Sequence, residues 1–169
     1  MQTLIRSLIL LALAVWVGGL LYFGAVVAPV AFGTIMPMMS DPAVGLHVAG
    51  TMVRTSLLRL HDIGLVCGLV LLLLIILEKT LRLTRRSIAP QLVLLAMMLA
   101  LTAYSQFSII PRMEALRLAA GPAMDNPAAT NPDKEQFNRL HGTSTNMEGA
   151  VLLGGLVLIV LYARPEQAV

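Results

Sequence analysis

The sequence is poor in charged residues. Only 12% of its 169 residues are Asp, Glu, Lys or Arg, whereas 57% are hydrophobic, and soluble domains carry roughly 25% charged residues. A chain with so few charges cannot cover a water-exposed surface with polar groups, so lipid must solvate much of it. Its single cysteine, Cys67, excludes an intrachain disulfide.

Common catalytic and cofactor motifs are also absent. The sequence contains no Walker A, GxSxG, HExxH or GxGxxG motif and no Cys-x-x-Cys-His haem attachment. Ser144 is close to His141 in sequence, but no acidic residue is in evident reach to orient the histidine. These absences favour a protein that is not an enzyme. Nucleic acid is not an expected partner either, because Lys and Arg in a membrane protein mainly set its topology.

Four apolar runs are each long enough to cross a membrane as a helix, which takes about 20 residues for roughly 30 Å of hydrocarbon. The sequence therefore predicts an all-α, four-helix transmembrane bundle that forms a single domain over 1–169. The first span is expected to end near Pro29, the third to stop at Pro111, and residues 113–136 to form a loop after a short helical start. The predicted spans cover approximately residues 8–30, 57–77, 88–110 and 140–162.

The second span is expected to extend beyond the membrane. Asp41 is suited to cap a helix that begins at Pro42 and continues into the span. Such a helix has about 37 residues and is roughly 55 Å long. Because this exceeds the hydrocarbon thickness, part of the helix must tilt, kink or stand outside the bilayer.

The positions of the basic residues predict the orientation. Each side of the membrane receives six of the twelve basic residues, so their clustering decides rather than their number. Clusters close to span ends favour the cytoplasm, and the short loop 78–87 carries Lys79, Arg82, Arg85 and Arg86. We therefore predict a multi-pass protein of the inner (plasma) membrane, with both termini in the cytoplasm on the same side as this loop.

Polar and small residues share one face of the second helix. Alternating spacings of three and four residues define this face, and it carries His47, Gly50, Arg54, Leu57, His61, Gly64 and Gly68. Gly64 and Gly68 form a small-xxx-small pair that lets a neighbouring helix approach closely. We expect this face to point into the bundle.

Glu148 stands near the middle of the fourth span. An ionised carboxylate at this depth costs at least about 2.5–3.5 kcal/mol, so it must be protonated, paired or hydrated. Either a functional role or an ion pair that locks the bundle is compatible with this position. Its candidate partners are His141 on the same helix and, on other helices, Arg54, Arg59, His61 and Arg112.

His61 and His141 begin their spans in similar contexts, Arg-Leu-His-Asp and Arg-Leu-His-Gly. Two histidines from facing helices are able to ligate a metal or a haem. Hydrogen bonding at the interface and proton or ligand handling are the alternatives, and the cofactor, if any, is unknown.

Four further residues are candidates for a ligand-binding or polar core, namely Trp16, Asp62, Arg112 and Asn146. Two of them have a simpler interpretation. Asp62 is able to pair with Arg59 three positions earlier, and Arg112 is able to reach the membrane interface by snorkelling.

Three segments resemble a known family in order and spacing. They are Trp16–Gly19 with Ala28–Phe32, Tyr104–Arg117, and Phe137–Asn146, and they are similar to the transmembrane protein 205-like family of uncharacterised membrane proteins. This resemblance implies a four-helix membrane domain of no established activity. The Trp-x-Gly-Gly opening is also similar to that of copper-resistance D-type membrane domains, which keeps a metal hypothesis open.

Three functions are compatible with these patterns. The first is handling of a small solute, a proton or a metal in a polar pocket of the non-cytoplasmic half. The second is a structural or accessory role, as a homo-oligomer or a subunit of a larger membrane complex. The third is a haem-binding membrane oxidoreductase.

Overall fold

The computed structural model describes residues 1–84, 87–124 and 132–164. Within these ranges the chain forms four long helices and no β-strand. Each helix is long and apolar enough to cross a membrane, which confirms the predicted all-α, four-helix membrane bundle. The helices are α1 (Gln2–Met38), α2 (Pro42–Thr80), α3 (Ala89–Ala120) and α4 (Pro132–Ala163).

Two prolines that were expected to end helices lie inside them. The expected end of the first helix near Pro29 is wrong, and so is the expected end of the third helix at Pro111, because α1 and α3 both continue beyond these residues. Where each helix leaves the membrane stays a prediction. A proline lacks the amide hydrogen, and its ring clashes with the preceding turn. In both helices a wider π-helical turn precedes the proline and accommodates its ring. These turns are Phe23–Val27 in α1 and Ser105–Ile109 in α3.

The connection between α3 and α4 is shorter than the loop expected over 113–136. After α3 a 3-10 turn covers Gly121–Met124, and α4 begins at Pro132. α3 persists past its proline because one helical face, which carries Ile110, Met113, Glu114 and Arg117, turns towards the bundle. Residues 125–131 lie outside the described residues, as do Arg85 and Arg86 of the basic loop.

α2 has the expected start and length. The Asp41 side chain accepts a hydrogen bond of 2.8 Å from the amide of Ala43, and Pro42 occupies the first turn. Asp41 therefore caps the helix as predicted. With 39 residues, α2 is about 58 Å long and exceeds the bilayer core.

The start of α1 and the end of α4 lie at one end of the bundle. Arg6 Nη2 donates hydrogen bonds to the carbonyl oxygens of Tyr162, at 2.9 Å, and Arg164, at 2.7 Å. We call the half of the bundle near the termini the inner half and the opposite half the outer half. Which half faces the cytoplasm stays a prediction.

The helices α1 and α2 pack closely around Trp16, which is the largest fully buried side chain. A Cβ atom added at Gly64 would lie 2.9 Å from Trp16 Cε2, and one added at Gly68 would lie 3.0 Å from Trp16 Cζ3. Both glycines therefore admit the indole ring between the helices. Their face of α2 points into the bundle, as the spacing indicates.

In the outer half the four helices separate into two pairs. The outer segment of α1, Ala28–Met38, packs against α2, and the outer segment of α3, Ile110–Ala120, packs against α4. Among the described residues, Ala28–Met38 makes no comparable contact with α4. Space is therefore left between the α1–α2 pair and the α3–α4 pair.

Candidate functional site

A cavity of about 740 Å³ occupies the space between the two helix pairs, and all four helices line it. We call it the outer cavity. Most of its wall is apolar, and Leu20, Phe32, Leu57, Met113 and Leu152 all contribute to it. Sites for small molecules in proteins are roughly 300–1,000 Å³ and mostly apolar, with a few polar groups. The outer cavity has this size and this character.

A histidine and a carboxylate meet at the inner end of the cavity. Nε2 of His61 on α2 lies 2.7 Å from Oε1 of Glu148 on α4. The His61 side chain is 1% exposed, whereas Glu148 lines the cavity and is 17% exposed. Within the described part of the chain, His61 Nδ1 and Glu148 Oε2 are buried without a hydrogen-bond partner. Of the five candidate partners of Glu148, the structure selects His61.

Hydroxyl groups lie next to this pair. Ser144, one helical turn before Glu148, lines the cavity, and its Oγ is 3.2 Å from Oγ of Ser105 on α3. Ser105 begins the π-helical turn of α3. The side chain of Thr102, three residues earlier, is also buried. The inner end of the cavity is therefore polar, although its walls are apolar.

An ion pair closes one side of the cavity. Arg54 Nε on α2 lies 3.0 Å from Glu114 Oε2 on α3, and the two side chains are 29% and 26% exposed. Both residues line the cavity. Because they belong to different helix pairs, this contact joins the pairs on the side formed by α2 and α3.

Arg117 is buried in the same wall and is 7% exposed. Its Cζ atom lies 5.6 Å from the centre of the Phe137 ring. On α2, a Cβ atom added at Gly50 would lie 2.8 Å from the same Cζ. The guanidinium is therefore held between a glycine and an aromatic face, which restricts where it can point.

His141 lines the cavity nearer its outer end. Its ring stacks on Phe137, with centroids 6.3 Å apart and planes 4° from parallel. Among the described residues, no group of three or more His, Cys, Asp or Glu side chains is placed to hold a metal ion. Metal or haem ligation by His61 and His141 stays a prediction.

The structure brings only some of the predicted site residues together. Arg54, His141 and Glu148 line the cavity, His61 contacts Glu148, and Trp16 belongs to the packed core.

Three other predicted residues face away from the cavity. Asp62 is exposed and binds Gln106 Nε2, at 2.7 Å, and Arg59 Nη1, at 3.7 Å, so the simpler interpretation of Asp62 fits. Arg112 and Asn146 are exposed and do not line the cavity. Each is two positions from a lining glutamate, and two positions turn a side chain about 200° around a helix.

Glu114 and Arg117 were missed as site residues because Pro111 was interpreted as the end of the third span. A signal was present, since Ile110, Met113, Glu114 and Arg117 follow the spacing of one helical face. If the helix had been continued through Pro111, both charged residues would have been placed on the bundle side.

Comparison with known proteins gives a family but no activity. The sequence profile of a domain of unknown function, DUF4149, matches residues 11–122, which is about two thirds of the chain and covers nearly all of the first three helices. No curated protein and no solved structure matches the chain, and the resemblances to the transmembrane protein 205-like and copper-resistance D-type proteins stay predictions. On the extent of this match, the chain belongs to the DUF4149 family.

Proposed function

We propose that the protein binds a small solute in the outer cavity and that His61 and Glu148 form a proton-handling group at the inner end of this site. The observation that carries the proposal is the meeting of a ligand-sized cavity with a part-buried His–Glu pair.

Burial of ionisable groups inside the membrane supports a functional role. Such residues are costly and mostly mark pathways for ions, protons or substrates. In this pair, Nε2 and Oε1 contact each other, whereas Nδ1 and Oε2 have no partner within the described part of the chain. Buried polar atoms are nearly always hydrogen-bonded, so a ligand group or water is expected at these atoms.

The alternative is a structural or accessory subunit in which the pair only joins α2 to α4. Removal of either partner destabilises the protein under both hypotheses, so stability alone does not distinguish them. Filling the cavity does distinguish them, because a structural lock does not need the empty space.

Gly149 allows the cavity to be filled without disturbing the bundle. It lines the cavity, and a Cβ atom added there meets no atom within 4 Å, so the side chain of Gly149→Leu has room to project into the space. Gly142 on the same helix is a matched control. It is exposed, does not line the cavity, and also has room for a Cβ atom.

The experiment compares the small molecules that denaturation releases from protein purified in mild detergent, as identified by mass spectrometry. We expect the wild type and Gly142→Leu to release the same compound, and Gly149→Leu to release about tenfold less, which corresponds to about 1.4 kcal/mol of binding free energy. Equal release from all three proteins would overturn the proposal and favour the structural alternative.

The role of the pair has its own test. Infrared difference spectra on addition of the recovered compound should contain a carboxyl band that is absent in Glu148→Gln. Spectra that are identical in the wild type and in Glu148→Gln would remove Glu148 from the binding site and leave a cavity that binds without the pair.

A further inference from the structure

Among the residues that the structure describes, the outer cavity is closed on one side and open on the other. On the α2–α3 side, the Arg54–Glu114 ion pair and the packing of Arg117 against Gly50 join the two helix pairs. On the α1–α4 side, the described residues of the outer segment Ala28–Met38 pack against α2 and make no comparable contact with α4. Within the described residues, the cavity therefore opens sideways between α1 and α4.

This opening lies within helices that span the membrane. Phe23 and Gly24, which line the cavity from α1, belong to the π-helical turn inside the first span. Gly149 lines it from α4, inside the fourth span. A gap at this depth faces acyl chains, so a molecule dissolved in the bilayer is able to reach the cavity without passing through water.

The lining of the cavity is suited to an acyl chain. Leu20, Phe32, Leu57, Met113 and Leu152 come from all four helices and present apolar surface to the cavity. A monatomic ion or a sugar does not need such a surface, whereas burial of each methylene group of a chain is worth about 0.8 kcal/mol.

Cationic side chains mark the outer end. Lys134 near the start of α4 and Arg117 near the end of α3 both line the cavity. Arg117 is held by Gly50 and Phe137. A guanidinium fixed in this way suits the planar, two-point recognition of a phosphate or carboxylate.

We infer that the solute is an anionic amphiphile of the bilayer, which enters between α1 and α4, places its acyl chain along the apolar walls, and binds its phosphate or carboxylate head near Arg117. This inference rests on the proposed function, since it assigns a chemical class to the ligand of the outer cavity. It predicts selectivity for an anionic over a zwitterionic head group and loss of binding when the cavity is filled.

The test uses the full chain in nanodiscs that contain equal amounts of phosphatidylglycerol and phosphatidylcholine, and native mass spectrometry counts the lipids that stay bound. We expect the wild type and Gly142→Leu to retain phosphatidylglycerol over phosphatidylcholine by about tenfold. Gly149→Leu should retain neither lipid. Addition of soluble glycerol phosphate should not displace the bound lipid, because it lacks the acyl chain.

Two variants examine the head-group site separately. Arg117→Gln removes the charge and should bring the lipid preference close to one. Gly50→Ala keeps every charge, but its Cβ atom would occupy the position of the guanidinium, so it should also weaken the preference. Because the three atoms nearest to that Cβ all belong to the guanidinium at the end of the Arg117 side chain, Gly50→Ala is expected to fold even if Arg117→Gln does not.

Three results would overturn the inference. They are equal retention of the two lipids by the wild type, unchanged retention by Gly149→Leu, and displacement by glycerol phosphate, which would indicate a soluble phosphate compound. None of these results affects the proposed function if Gly149→Leu still loses the compound released on denaturation. Equal release of the compound by the wild type and by Gly149→Leu on denaturation would overturn both this inference and the proposed function.

Discussion

His61 on α2 contacts Glu148 on α4 with 2.7 Å between Nε2 and Oε1, and this contact joins the two helix pairs at the inner end of the outer cavity. Deeper in the bundle, Trp16 fills the interior between α1 and α2. Towards the outer half, the pairs diverge. The pair therefore lies at the boundary between a packed core and a ligand-sized space, where a hydrogen-bonding partner lowers the cost of burying the Glu148 carboxyl group.

Breaking this contact should destabilise the protein. Loss of one partner of a fully buried ion pair costs about 3–5 kcal/mol, but Glu148 is 17% exposed towards the cavity. For His61→Ala we therefore expect a smaller loss, about 1–3 kcal/mol in the free energy of unfolding. The loss would be measured by titration with a denaturing detergent.

The Arg59–Asp62 pair is the control for this measurement. Its atoms are 3.7 Å apart, and its side chains are 82% and 51% exposed, so Arg59→Ala should change the free energy of unfolding by less than about 0.5 kcal/mol. A His61→Ala protein as stable as Arg59→Ala would show that the 2.7 Å contact does not support the fold.

Gly64→Ala should be markedly destabilising. Its Cβ atom would lie 2.9 Å from Cε2 and 3.0 Å from Cδ1 of Trp16, and the fully buried indole has little freedom to move away. Overpacking of this kind costs about 1–3 kcal/mol. Gly18→Ala on α1 is the matched control, because a Cβ atom there meets nothing within 4 Å. Thermal unfolding in one detergent should separate the two variants, and equal midpoints would contradict this account of the α1–α2 contact.

The sequence alone was sufficient to predict which face of α2 points into the bundle. The spacing of Arg54, His61 and Gly64 repeats with the period of a helix, and the Asp41 cap fixes where that helix begins. Both signals are local, so they do not depend on how the other helices are placed. The prediction that this face turns inward is confirmed by the burial of His61, Gly64 and Gly68.

The sequence alone was not sufficient to predict which residues of two different helices contact each other. Helical spacing places Glu148 on a face of α4, but it does not give the rotation and register of α4 against α2, and these decide between His61 and the other four candidate partners. The prediction for the outer segment of α3 was wrong for a local reason. A proline normally ends or kinks a helix, and only the π-helical turn at Ser105–Ile109 lets α3 continue and bring Glu114 and Arg117 to the cavity.

The ion pair between Arg54 and Glu114 should contribute more than an exposed pair. Its side chains are 29% and 26% exposed and its atoms are 3.0 Å apart, so a double-mutant cycle with Arg54→Gln and Glu114→Gln should give a coupling energy of about 1 kcal/mol. Within α4, Arg139 and Glu135 form an exposed ion pair, whose side chains are 78% and 72% exposed. The same cycle on that pair should give about 0.3–0.5 kcal/mol. Equal coupling in the two cycles would show that the outer helix pairs are not held together by Arg54 and Glu114.

The orientation predicted from the basic residues is testable with two single cysteines in a Cys67→Ala background. Ser40 lies in the exposed turn between α1 and α2, and Ser87 is exposed at the opposite end of the bundle, before α3. If the basic loop is cytoplasmic, a thiol reagent that cannot cross membranes should label Ser40→Cys in intact cells. It should label Ser87→Cys only after the membrane is permeabilised.

The reverse labelling pattern would show that the orientation is opposite to the predicted one and that the outer cavity lies in the cytoplasmic leaflet. The contacts that define the cavity would be unchanged, because they do not depend on which side the outer half faces. The source of the amphiphile would differ, however, since it would then enter from the cytoplasmic leaflet. Labelling of both cysteines in intact cells would instead show that the chain inserts in two orientations, as the equal division of basic residues between its two sides permits.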